Sequence, residues 1–409
     1  MQMLSWANRF NICAFLDNHH YYSSYNQIEC LLAVGAANIY NTSQFSRTAF
    51  KKWLAQQNDW IFGHISYDFK NHIEPLSSTH TDGIGFPDLF LFQPETVINL
   101  TDTYITISCL HNKPEAVFNE IQQTHITTSQ YQSSITLQAR ISKEEYLYAI
   151  RQLKEHILRG DCYEINYCQE FYQLNSGIDP IATYRRLSEL SPAPFAAFYK
   201  INTMYALCAS PERYLQKKGS TIISQPIKGT CKRNLYNSLQ DEELKTALLQ
   251  SEKERSENVM IVDLVRNDLS KICKEGSVRV EELFGIYSFP QVHQMISTIK
   301  GTLKENIDLV DILYATFPMG SMTGAPKRKV MELTELYERS KRGIYSGCIG
   351  YITPEKDFDF NVVIRSIFYN DNKKYLSSMV GSGITYNSDA EKEYEECLLK
   401  AKAMMKALS

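Results

Sequence analysis

No apolar run in the 409-residue chain approaches the roughly 18 residues that a membrane-crossing helix needs, so a membrane role is not expected. Residues 1–20 lack the basic start and continuous apolar stretch of a signal peptide. A surplus of positive charge is missing too. The 43 Lys plus Arg stand against 46 Asp plus Glu, a net charge of -3, which argues against nonspecific binding of nucleic acid or anionic lipid. Any anionic ligand must then be met by local positive groups. The 10 cysteines include no C-x-x-C pair, and a chain of this length needs no disulfide staples, so free thiols in a reducing cytoplasm are expected. No repeat of fixed period is found.

What is present is enough apolar chain, 44%, for a sizeable core. Residues 1–135 are rich in Asn, Thr, Ser, His and Tyr and carry strand-like runs at 59–66, 89–92 and 104–110. The polar, non-periodic stretch 125–137 reads as a linker, giving an N-terminal half over 1–135 and a second region over 136–409. In 142–159 the apolar residues Tyr146, Ile150, Leu153 and Ile157 fall on one helix face, and Gly160 follows as a stop. Strands are expected at 162–171, 195–198, 205–209, 221–224, 348–353, 361–369 and 374–380, and helices at 241–269, 308–316, 327–342 and 390–408. Runs of strands without regular helix interleaving predict an α+β fold with largely antiparallel sheet.

Several groups in this pattern are suited to chemistry. Glu212, in Ser210-Pro211-Glu212-Arg213, follows an apolar strand and is either a surface acid at a Pro turn or an acid held at a cleft. Lys228 lies between Ile227 and Gly229 and is either a solvated turn lysine or, if burial lowers its pKa, a nucleophile. On the 241–269 helix, Asp263 and Arg266 read as a structural pair, whereas Glu257 has only Lys253 at helical spacing and is left available as a ligand. The small-residue loop 318–327 runs into a helix and reads either as a cap or as an anion receiver; its glycine spacing is not that of a P-loop. Glu393, Glu396 and Lys400 form one stripe of the last helix, which is either a solvated face or carboxylate spacing for a hard cation such as Mg²⁺.

The order of these segments, from 210–214 and 226–230 through 251–269, 317–333, 342–352 and 362–367 to 381–401, resembles the chorismate-utilising enzymes, and residues 62–68 resemble an N-terminal motif of the same family. The resemblance implies one large antiparallel β-sandwich flanked by helices, to which both halves contribute, with chorismate as substrate and Mg²⁺ as cofactor. It puts Glu257 and Glu396 at metal-ligand positions, with Glu393 holding a metal-bound water. Tyr345 and Arg365 match contacts to the enolpyruvyl carboxylate, Gly381, Gly383 and Lys400 lie near bound carboxylates, and Thr230, His293 and Thr323 match other pocket positions. Lys228 is similar to the lysine of the branch that aminates chorismate at C4, where it attacks C2 while Glu212 acts as general acid; the anthranilate-forming branch usually has alanine there and is the rival reading. At the position of Glu164, water-using members carry lysine and the ammonia-using branches commonly glutamine, so Glu164 departs from both patterns, and a part in guiding or deprotonating ammonium is an open reading. The nearest approach to a glutaminase G-x-C-x-G turn is Ser346-Gly347-Cys348-Ile349-Gly350, which reads as core strand. Ammonia is therefore expected from a separate glutamine amidotransferase subunit.

Overall fold

The computed structural model describes residues 1–21, 25, 28–41, 45–126, 135–290 and 292–409. Two large antiparallel sheets, one of 11 strands and one of 10, account for its strands, giving the expected α+β class. In the first sheet, Glu164–Gln173 lies between the two-residue strand Gly324–Ala325 and Tyr375–Ile384, and the order continues through Ser366–Asn370, Met204–Ser210 and Phe195–Ile201 to Ile12–Asp17, Cys30–Val34, Thr96–Leu100 and Ile105–Cys109. The second runs from Ile227–Lys232 through Val292–Thr302, Thr221–Gln225, Arg213–Lys218, Phe358–Asn361 and Cys348–Ile352 to Ile61–Ile65, Leu89–Gln93 and Asn38–Asn41. Strands from residues 1–135 and from 136–409 thus lie side by side in both sheets. The proposed linker at 125–137 falls largely on residues 127–134, which lie outside the described residues.

Side-chain alternation explains why the first sheet is apolar on both faces. Ala14, Leu31 and Ala33 belong to the core shared with Phe62, Leu91 and Phe360 of the second sheet. Their neighbours Cys13, Phe15, Leu32 and Val34 face the opposite way and pack with Tyr146, Ile150, Leu153, Leu187 and Ala401 of the helices. The helix expected from apolar spacing is present as Lys143–Leu158, and it starts at a capping box in which Ser142 and Glu145 exchange hydrogen bonds.

Three expected elements differ. The region 241–269 is two helices, Ser238–Gln250 and Glu252–Ile272, because Ser251 adopts ψ 112° and caps the second by accepting from the Glu254 amide. The helix after Pro326 ends at Tyr337, five residues before Arg342. The stretch 361–369 is not one strand: Phe358–Asn361 belongs to the second sheet and Ser366–Asn370 to the first, and the chain crosses between them through Arg365 at φ 51°. That crossover delivers an arginine to the place where the sheets diverge.

Candidate active site

One cleft gathers residues from at least six separate segments. Glu212 enters it from the turn between Met204–Ser210 and Arg213–Lys218, Lys228 and Thr230 from strand Ile227–Lys232, and Glu257 from the Glu252–Ile272 helix. Tyr345, Arg365, Gly381 and Gly383 line another side, and Glu393, Glu396 and Lys400 come from the helix Ala390–Leu408. Residues nearly two hundred positions apart in sequence therefore share one cavity.

Glu212 is 4% exposed and accepts a hydrogen bond from the Ser321 hydroxyl. Burial pushes its carboxyl up to about 7, against the opposing pull of Ser321 and Lys228, so it holds a proton near neutral pH. Arg365 is likewise enclosed, and desolvation brings its guanidinium down to about 10 although Glu212 favours its charged form.

The Lys228 side chain is 10% exposed, and its neighbours decide between the two sequence readings of its charge. Burial acts to lower its pKa, but the carboxylates of Glu164 and Glu257 outweigh that effect and hold the amine above the ordinary lysine value. Its Nζ is ion-paired with Glu164 Oε1. Lys228 thus rests as a cation, because acids surround it where a neighbouring cation was needed to free its lone pair.

Carboxylates crowd the opposite wall. Lys253 Nζ bridges Glu257 at 3.7 Å and Glu393 at 3.3 Å, while Lys400 Nζ pairs with Glu396 at 2.7 Å and donates to the Gly381 carbonyl at 2.9 Å. Glu393 also accepts from the Ser382 hydroxyl. Glu257 Oε1 is buried without a hydrogen-bond partner, and burial raises this carboxyl to about 7. Among the described residues no three His, Cys, Asp or Glu side chains converge into a cage for an ion. A hard ion that takes oxygen donors and keeps several waters needs only one or two carboxylates, and the Glu257 oxygen, which has Lys253 at 3.7 Å but no hydrogen bond, fits such an ion together with the Glu396 carboxylate.

Two anticipated pocket residues do not line the cleft. His293 is buried and turned away, its Nδ1 2.8 Å from the Ser288 hydroxyl and its Nε2 3.1 Å from Asp241. The alternation of strand Val292–Thr302 brings its neighbour Gln294 to the cleft instead, in register with Thr230, and Gln294 Oε1 is buried without a partner. Thr323 serves the scaffold: its hydroxyl donates to the Met319 carbonyl at 2.9 Å and its carbonyl accepts from the Asn166 amide at 2.7 Å. From the same loop Ser321 and Met322 do line the cleft, while Lys327 turns away to pair with Asp268 at 2.5 Å. Gln294, Asn166, Ser321, Lys253 and Glu254 are lining residues that were not anticipated. The Asp263–Arg266 pair lies on the surface at 2.7 Å, and Cys348 is fully buried in its strand.

The family model for chorismate binding enzymes matches residues 11–406. The chain is 32% identical over 361 residues to aminodeoxychorismate synthase component 1 of Bacillus subtilis, covering 85% of this chain and 76% of that one. To the Escherichia coli protein of the same name it is 35% identical over 354 residues, with the same coverage. It is also 32% identical to anthranilate synthase component 1 of Aquifex aeolicus, covering 85% of this chain and 74% of the relative. The crystal structure of anthranilate synthase component I from Streptococcus pneumoniae superposes with a TM-score of 0.79 at 24% identity, covering 94% of this chain and 95% of that one, and so shares the fold. A match that takes in both sheets and every segment of the cleft makes the chain a member of the chorismate-binding enzyme family.

Proposed function

We propose that this enzyme aminates chorismate at C4 to give 4-amino-4-deoxychorismate, the reading that agrees with the names of its Bacillus and Escherichia relatives. The observation that carries it is the meeting, in one cleft, of Lys228 with Glu212, whose carboxyl burial raises to about 7. In this reading the Lys228 amine bonds to C2, the ring electrons shift, and the C4–O bond breaks with the Glu212 proton leaving in water. Ammonia then bonds to C4, the electrons shift back, and the C2–N bond breaks to free Lys228. Splitting one hard substitution in this way gives two easier ones.

Arg365 and Tyr345 bind the enolpyruvyl carboxylate, and Lys400 with the backbone at Gly381 and Gly383 borders the bound carboxylates. Thr230 and Gln294 face the substrate from paired strands. Glu257 and Glu396 would hold Mg²⁺, with Glu393 beside them as a partner for a water on the ion. When bound, the ion supplies the positive charge that lets a dicarboxylate rest against this acidic wall.

Ammonia is delivered by a separate glutamine amidotransferase subunit, in keeping with the word component in the relatives' names and with the burial of Cys348. Conversion of the product to 4-aminobenzoate, and so to folate, falls to a distinct lyase. Ten free thiols agree with a reducing cytoplasm, and no helix among the described residues is long and apolar enough to cross a membrane. The Aquifex relative favours anthranilate as a second reading. Mass spectrometry of the products formed from chorismate, Mg²⁺ and an ammonium salt decides between them: 4-amino-4-deoxychorismate is expected, and anthranilate overturns the assignment.

A further inference from the structure

An ammonium has no lone pair with which to attack carbon, so Lys228 must lose a proton before it can act. Its Nζ rests on Glu164 Oε1. Glu164 opens strand Glu164–Gln173, is 1% exposed, and has its second oxygen, Oε2, buried without a hydrogen-bond partner. No donor on that oxygen has to be given up when the carboxylate is neutralised. The pair lies over the α-carbon of Gly383, where a Cβ would come 2.5 Å from Lys228 Nζ and 3.1 Å from Glu164 Oε1. The other charged groups bearing on Lys228 are Glu212, Glu254, Glu257, Glu396 and Lys400. Glu212 must keep its own proton for the leaving group, Lys400 is a cation, and Glu257 and Glu396 are assigned to the ion. Glu164 and Glu254 remain as acceptors, and of the two it is Glu164 that is ion-paired with the nitrogen.

We propose that Glu164 is a catalytic base for Lys228, taking a proton from Nζ as the amine attacks C2 and returning it as the amine departs; this rests on the covalent amination reading above. In the forward step one N–H proton passes to Glu164, the freed nitrogen lone pair forms the N–C2 bond, and the C4 oxygen leaves as water with the proton of Glu212. In the reverse sense the breaking C2–N bond returns its electron pair to nitrogen, which recovers the proton from Glu164. Substrate entry favours the transfer, because excluding water penalises a buried ion pair more than the neutral acid and amine that replace it.

The test is intact-protein mass spectrometry after mixing with chorismate and Mg²⁺ without ammonium, following the adduct of chorismate less one water on Lys228. E164Q keeps the shape but cannot take a proton, and is expected to form the adduct about 100-fold more slowly, with chorismate affinity little changed and with rate recovered as pH approaches the lysine range. A second variant, E164A, is expected to be equally slow and to regain rate on addition of formate. Adduct formation by E164Q at the wild-type rate, or an E164A rate that formate does not move, overturns the inference alone. Absence of the adduct on the wild-type protein overturns the covalent step together with it, whereas failure of the wild type to aminate chorismate at all overturns the function itself.

Discussion

Ser321 Oγ donates a hydrogen bond to Glu212 Oε1 at 2.5 Å, joining the turn Gly320–Met322 to an acid that the sequence places more than a hundred residues away. Such a donor stabilises the charged carboxylate, so its removal moves Glu212 further up from about 7. An acid works in its protonated form, and activity falls as pH rises through its pKa. S321A is therefore expected to carry the alkaline limb of the kcat/KM profile to higher pH. A limb that stays in place counts against Glu212 as the proton donor.

Lys228→Met is expected to lose most amination, and also to destabilise the fold by roughly 3–5 kcal/mol, because it strands the buried Glu164 carboxylate. The double variant K228M/E164Q is expected to regain most of that stability and none of the activity, as read by chemical denaturation beside turnover. Equal stability of the single and double variants would mean that the pair is not closed in solution.

Gly383→Ala separates activity from stability in the opposite direction. The added methyl meets the mobile end of Lys228, not backbone, so the side chain is pushed aside at small cost to the fold. Turnover is expected to fall by about tenfold or more, as a displacement of order 1 Å at a reacting atom commonly costs. The thermal midpoint is expected to hold, and wild-type kinetics would show that the amine has room to spare.

Chelation of divalent cations is expected to abolish turnover and added Mg²⁺ to restore it, with E257Q and E396Q needing more Mg²⁺ for half-maximal rate. Full activity in excess chelator removes the metal from the scheme.

Gln294→Leu is expected to weaken chorismate turnover with little change in stability, whereas H293A, which breaks the contacts to Ser288 and Asp241, is expected to lower the melting temperature and leave KM near its wild-type value. The reverse pattern would mean that the strand is turned over.

The acid–lysine pair, the carboxylate wall and most strands were legible because each rests on local order: an apolar run, a turn residue, helical spacing. What was not legible depends on pairing across space. Whether His293 or Gln294 faces the cleft is fixed by the register with Cys231 and Thr230, and a slip of one residue exchanges the two. The break at Arg365 was hidden because apolar residues flank it on both sides, Val362 to Ile364 and Ile367 to Tyr369, and only the membership of the neighbouring strands in different sheets requires the chain to turn there. The charge of Lys228 was not legible for the same reason, since Glu164 lies 64 positions earlier in the chain.

Recombination between relatives meets a constraint set by the two sheets. Ile12–Asp17 is hydrogen-bonded to Phe195–Ile201 on one side and Cys30–Val34 on the other, and Ile61–Ile65 lies between Cys348–Ile352 and Leu89–Gln93. A chimera joined near residue 135 must therefore rebuild two seams at once, Ile12 opposite Ile201 and Ile65 opposite Cys348. Parental sequences that diverge at these seams would give hybrids that aggregate before substrate preference could be compared, so exchange of single cleft residues is the workable route to altered chemistry in this scaffold.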